Sequence, residues 1–93
     1  MVKADLIREV GIRADATQED SKIFIDAFIE TIKDAVKDGD SVLISGFGTF
    51  EGRKRKEHRV THPTDNNKEI IVPAYIAPAF KPSPIFKDYI NNG

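Results

Sequence analysis

The stretch Gly46-Phe47-Gly48-Thr49-Phe50-Glu51-Gly52-Arg53-Lys54-Arg55-Lys56-Glu57-His58-Arg59-Val60-Thr61-His62-Pro63, which comes home through Ile70-Ile71-Val72-Pro73, decides how this chain is built. A glycine-bracketed phenylalanine gives way to a basic run with almost no apolar side chains. A polar turn is expected at Thr64-Asp65-Asn66-Asn67, after Pro63, and a β-branched run follows. The pattern predicts a strand leaving a small core, a long ribbon, a tip, and a strand coming back. Such a ribbon has too little apolar surface to offset the entropy of ordering it. It is therefore expected to lie on something outside the protein, and its charge points to a polyanion.

The charge is unevenly distributed. The chain as a whole carries a formal −1. Residues 51–72 hold six Lys/Arg against four Asp/Glu, while the remainder holds eight against eleven. The positive field sits on the ribbon and the body is acidic, an arrangement unlike a simple polycationic coat. Ninety-three residues make one domain, expected to span 1–93 with an arm at about 52–74. Without the arm, the body is near the lower size limit for folding alone, which favours an oligomer. There are no cysteines, so neither a disulfide nor a thiolate metal site is available. No apolar run approaches the ~18 residues of a membrane span. The start Met1-Val2-Lys3-Ala4-Asp5 does not read as a signal peptide, and a cytoplasmic location is expected.

Outside the arm, periodicity places the elements. Leu6, Ile7 and Val10 mark a short amphipathic helix, which Asp15-Ala16-Thr17 breaks. Thr17 caps a second helix expected from Gln18 to Lys37, with Glu19 and Asp20 at its positive end. Its stripe of Ile23, Phe24, Ala27, Phe28, Thr31, Ile32, Ala35 and Val36, widened by Ile25 and Ile29, is broader than one short helix can cover. Gly39 suits the left-handed cap. Ser41 to Ser45, the strand begun at Thr49, and the return through Glu69 to Ala74 predict a sheet. Tyr75 to Pro82 reads as extended, because Pro78 and Pro82 lack amide donors. Ser83-Pro84 then opens a last helix bearing Ile85, Phe86, Tyr89 and Ile90. The fold class is α+β: two N-terminal helices, a three-stranded antiparallel sheet with a long β-ribbon arm, and a short C-terminal helix. The helices are expected to layer on one face of the sheet.

Along nearly its whole length the sequence resembles the HU/IHF family of bacterial DNA-bending proteins. The resemblance is carried by Lys3 and Asp5-Leu6-Ile7, by Glu30-Thr31-Ile32, by Gly46-Phe47-Gly48-Thr49-Phe50-Glu51, by Arg55 and Pro63, and by Pro78-Ala79-Phe80-Lys81-Pro82. It implies an intertwined dimer, expected to be a homodimer with a heterodimer as the other option. Two ribbon arms would lie in the minor groove of double-stranded DNA and bend it with little sequence specificity. Carried onto this chain, it makes Pro63 the wedge at a kink, Arg53, Arg55 and Arg59 the groove-lining cations, and Lys3 and Lys81 the saddle cations. His58, His62 and Lys68 complete the expected DNA-contacting set. The chain departs from the family pattern in several places. Thr61-His62 precedes the proline where Arg-Asn is usual, and the turn after it is one residue longer. His58 stands for an arm arginine, Val60 for a glycine, and Ser83-Pro84 for a Gly-Lys pair. Nucleoid association is implied as well.

Plainer readings stand beside these. Pro63 lies thirteen positions beyond Phe50, roughly 43 Å at ~3.3 Å per strand residue, enough to follow a groove about 6 Å or about 12 Å wide. Alternation puts Arg53 and Arg55 on one side of the strand and Lys54 and Lys56 on the other, so only one pair faces a ligand. Pro63 alone would be a turn proline. His58 and His62 have helical ligand spacing on a strand, so no metal site is expected; added charge near phosphate at mildly acidic pH is the other reading. Phe47, Phe50 and Phe80 read as core, because single-strand binders place aromatics on the arm and residues 51–72 have none. No catalytic constellation is visible. The chain is expected to be no enzyme, to need no cofactor or small-molecule substrate, and to have no membrane partner. The second functional class is an HU-like dimerisation or regulatory module that binds DNA weakly and acts through a protein partner.

Overall fold

The computed structural model describes residues 1–62 and 64–92, with the backbone alone at residue 66. The elements are α1 (Lys3–Ala14), α2 (Gln18–Lys37), β1 (Val42–Ile44), β2 (Gly48–Arg55), β3 (His58–His62), β4 (Asp65–Val72), β5 (Tyr75–Pro82) and α3 (Pro84–Asn92). The class is α+β, as the sequence predicts. The chain divides into two units, Met1–Ala35 and Val36–Gly93.

The first unit is a pair of helices. Asp5 steadies the start of α1, its Oδ2 accepting from the Val2 N–H at 3.0 Å. α1 ends at Asp15, which adopts the left-handed conformation (φ 52°), and the Ala16 N–H returns to the Gly11 carbonyl at 2.9 Å. Thr17 caps α2 as its sequence position requires, Oγ1 accepting from the Asp20 N–H at 3.1 Å. Gly11 of α1 faces Ser21 of α2 with no room for a side chain between them. Ser21 is fully buried and donates its hydroxyl to the Thr17 carbonyl at 2.8 Å. Little else is covered. Ile23, Phe24 and Phe28 each expose half or more of their surface, and Ile25 is the buried apolar residue of the pair.

The second unit is built on an antiparallel sheet of order β1-β2-β5. The turn Ile44-Ser45-Gly46-Phe47 closes with the Phe47 N–H on the Ile44 carbonyl at 3.0 Å, and it needs the positive φ that Gly46 supplies at 79°. Gly48 is required for a different reason. A Cβ there would come within 2.6 Å of both the Lys81 carbonyl and the Phe80 ring. The backbone approach lets Phe47, Phe50, Phe80 and Phe86 gather, with ring centroids 4.8 Å apart for Phe50–Phe80 and 5.0 Å for the stacked Phe47–Phe86 pair. Ser83 joins α3 to this cluster: its N–H donates to the Phe47 carbonyl at 2.9 Å and its Oγ accepts from the Phe86 N–H at 3.1 Å. The phenylalanines are core in the sense that they pack together, yet Phe47 and Phe80 remain 40% and 36% exposed.

Two expectations are corrected. The ribbon is interrupted, forming one ladder in β2–β5 and a second in β3–β4. The register runs unchanged across the gap, from Arg55↔Tyr75 to His58↔Val72, so Glu57 stands opposite Pro73. Proline has no amide to give the ladder, which accounts for the break. The polar turn is also shorter than its composition predicts. His62 pairs with Asp65, so β4 starts within the expected turn, and residues 66–68 form a bulge between that pair and Thr61↔Glu69.

The α1–α2 contact yields a direct test. A Cβ on Gly11 would lie 2.9 Å from Ser21 Oγ and 3.2 Å from the Ala16 carbonyl oxygen. Gly11→Val is expected to destabilise the fold by about 1–3 kcal/mol, the usual range for forced overpacking, read as a lowered midpoint in thermal unfolding followed by circular dichroism.

Candidate nucleic-acid interface

Paired residues of an antiparallel ladder share a face, so the β2–β5 register sorts the side chains. One face holds Gly48, Phe50, Gly52 and Lys54 with Pro82, Phe80, Pro78 and Ile76. This is the packed side: a Cβ on Gly52 would meet Ile76 at 2.6 Å and Val36 at 3.5 Å. The other face holds Thr49, Glu51, Arg53 and Arg55 with Lys81, Ala79, Ala77 and Tyr75. Three of the expected DNA contacts, Arg53, Arg55 and Lys81, therefore stand on one surface, between small alanines that leave the backbone approachable. The pair Lys54 and Lys56 does not share that face in the pleat.

Beyond the gap, Arg59 pairs with Ile71 and Thr61 with Glu69. Because the register is kept, Arg59 falls on the same side of the pleat as Arg53 and Arg55. His58, opposite Val72, and Val60, opposite Ile70, occupy the reverse side, which is apolar and exposed at Val60 and Ile70. His62 follows them by alternation at the tip, and Lys68 lies in the bulge. The wedge assigned to Pro63 lies outside the described residues.

The arm's cations are not all free to meet a ligand. Glu69 Oε2 lies 3.3 Å from the Arg59 guanidinium, and Glu51 Oε1 lies 3.4 Å from that of Arg53. Among the described residues, Arg55, Lys68 and Lys81 form no ion pair. Sequence reasoning missed Glu51 and Glu69 as ion-pair partners of these arginines within the chain. The antiparallel count from Thr61 to Glu69 is the signal that exposes the second. The histidines are also engaged. His58 Nδ1 lies 3.2 Å from the Lys56 carbonyl, and His62 Nδ1 accepts from the Thr64 N–H at 3.1 Å.

Lys3, in the first turn of α1, is held by Asp26 of α2 at 2.6 Å, and Lys22 reaches the other carboxylate oxygen at 2.9 Å. The hydrogen bond from Lys3, then that from Lys22, holds the Asp26 carboxyl below the usual carboxylate range. A cation already paired in this way contacts phosphate only by exchanging one anion for another.

With this geometry in view, the comparisons are specific. A family model described as bacterial DNA-binding protein matches residues 1–91, and the chain belongs to that family. DNA-binding protein HU-1 of Halalkalibacterium halodurans is 40% identical over 91 residues, covering 98% of this chain and 100% of the relative. DNA-binding protein HU of Clostridium pasteurianum is 37% identical over 92 residues, covering 98% and 99%. Among solved structures, an Anabaena HU–DNA cocrystal structure superposes with a TM-score of 0.91 at 33% identity over the full length of both chains. HU from Thermotoga maritima gives 0.69 at 30% identity, covering 97% of this chain and 98% of that one.

Three predictions follow, two from the ion pairs and one from Arg55, which forms none. Asp26 has a lowered pKa in the folded state, so its pairing stabilises fully above the ordinary carboxylate range, and that contribution is lost as pH falls through the lowered value. Asp26→Asn is expected to be less stable than the parent at neutral pH and to converge with it in acid, checked by thermal melts across pH 2–7. On the arm, Arg55→Ala is expected to weaken duplex binding and reduce the salt slope by about one unit. Glu69→Gln, which releases Arg59, is expected to tighten binding. Titrations at two or more salt concentrations read both.

Proposed function

We propose that this chain is an architectural protein that binds double-stranded DNA as a dimer, lays its arms in the minor groove and bends the duplex with low sequence specificity. The observation that carries this reading is the open face of the β2–β5 ladder. It groups Arg53, Arg55 and Lys81 and leads into an exposed ribbon, in a chain whose fold matches that of an HU bound to DNA. Guanidinium and ammonium groups neutralise phosphate and suit a narrow groove, but they carry little base information. Lys3, His58, Arg59, His62 and Lys68 extend the contact, and Pro63 serves as the wedge that unstacks a base step. A nucleoid-associated location fits this role. The protein is not an enzyme, and the reading as a regulatory module acting through a protein partner is not favoured.

Dimerisation is supported by what one chain leaves uncovered. Ile12, Phe24, Leu43, Ile85, Tyr89 and Ile90 are each more than 60% exposed, which a monomer of this size cannot sustain as its only core. A second copy is the occupant that an isologous interface supplies.

The test is bending. Duplexes labelled at both ends are expected to shorten end to end on binding, and Pro63→Ala is expected to shorten them less while retaining most of the affinity. Sedimentation should give dimer mass, and the unfolding midpoint should rise with protein concentration. A monomer that leaves DNA straight would overturn the reading.

A further inference from the structure

The register that gathers the arm's arginines also gathers its carboxylates. Carried across the gap, it puts Glu57 on the same face as Arg53, Arg55 and Arg59. Glu51 and Glu69 stand on that face as well, each bonded to an arginine near it. The face assigned to the duplex therefore sets three carboxylates against its three arginines and Lys81. The reverse face is different. From Lys54 to Val60 it holds two lysines and no carboxylate, because alternate positions of a strand cannot exchange sides.

The facing strand does not neutralise these lysines. Lys54 pairs with Ile76, and the unchanged register sets Lys56 opposite Ala74. An apolar partner offers no anion. Among the described residues neither lysine forms an ion pair, whereas Glu51 and Glu69 engage arginines on the other face. Both lysines are exposed, and two strand positions set them about 6.6 Å apart along the arm. An arm lying on a duplex through its arginines turns this row outward, since the two faces of a ribbon look in opposite directions.

The row suits one kind of partner. A duplex carries a negative charge every ~1.7 Å along its axis. The acidic body of another copy is a poorer match, because several of its carboxylates are already paired: Asp5 with Arg8, Asp26 with Lys3 and Lys22, Glu30 with Lys33. We propose that Lys54 and Lys56 form a second phosphate-binding row, on the outward face of the arm, which holds a second DNA duplex against the one the arm already lies on. The inference rests on the reading of the arm given above and adds bridging to bending. Two lysines neutralise few phosphates, so a single hold is weak and sensitive to salt. Many copies along one duplex make it effective, because each hold keeps the second duplex at high local concentration for the next.

The test uses the full-length protein, one duplex tethered to beads and a second, fluorescent duplex in solution. Protein is loaded on the tethered duplex at low salt, the second duplex is added, and the retained fluorescence is measured. The parent is expected to retain the second duplex and to release it as salt is raised. The double variant Lys54→Gln, Lys56→Gln is expected to retain about fivefold less. Its affinity for a single duplex, and the bending of that duplex, should stay close to the parent's. The charge-preserving pair Lys54→Arg, Lys56→Arg should bridge as the parent does. Failure of the loaded parent to retain the second duplex, undiminished retention in the glutamine variant, or a fall in its single-duplex affinity equal to that of Arg55→Ala would each overturn the inference. So would salt-sensitive association of the DNA-free parent beyond a dimer that the glutamine variant abolishes, since the partner would then be the body of another copy. Failure of the parent to load on the tethered duplex at all would overturn the function on which the inference rests as well.

Discussion

The pleat of the β2–β5 ladder is the constraint on which the arm depends. Side chains of a strand must alternate, and eight consecutive pairs in one register leave no freedom about which residues share a surface. Gly48 lets the Lys81 backbone and the Phe80 ring close against β2, which commits the even-numbered face to packing. Arg53 and Arg55 then have only the open side. A one-residue slip would send both arginines toward the phenylalanine cluster and expose Phe50. The aromatic packing and the cationic surface are thus two results of one register.

A second constraint is area. Among the described residues, few are buried within a single chain: Gly11, Ser21 and Ile25 in the first unit, Gly48 in the second. Large apolar residues on α2 and α3 remain open. The breadth of the α2 stripe, which includes Ile25 and Ile29 besides the usual positions, is the sequence counterpart of this exposure. Folding and association are on this account one equilibrium, because the surface that stabilises the chain is completed only by another chain.

Most of the fold was legible because local chemistry set its boundaries. Thr17, Ser83 and Pro84 act where their side chains predict, so α2 and α3 begin at the expected residues. The tip was read less well for a physical reason. Thr64, Asp65, Asn66 and Asn67 are turn residues by composition, but the chemistry that favours a turn also favours a bulge, since both release backbone from the ladder. The Asp65 side chain takes up the Asn67 N–H, and the strand resumes around it. Arg53, Arg55 and Lys81 were identified by charge and resemblance, while their common face needed the register. The carboxylates that engage the cations were not legible. Glu69 lies ten residues from Arg59 and meets it only through the antiparallel return. Likewise, the Asp26–Lys3 pair joins two helices that no local pattern links.

The bulge at residues 66–68 separates two lengths that a plain hairpin would tie together. In a regular ribbon, an inserted residue shifts every pair inboard of it or swells the turn. Here the surplus is taken up on the returning strand, after His62↔Asp65 and before Thr61↔Glu69. All pairs from Thr61 back to Gly48 keep their partners whatever its size. The tip is in this sense a cassette. Residues can be gained, lost or exchanged within it without re-registering the cationic face, so related chains can diverge at the tip while the scaffold behind it stays the same.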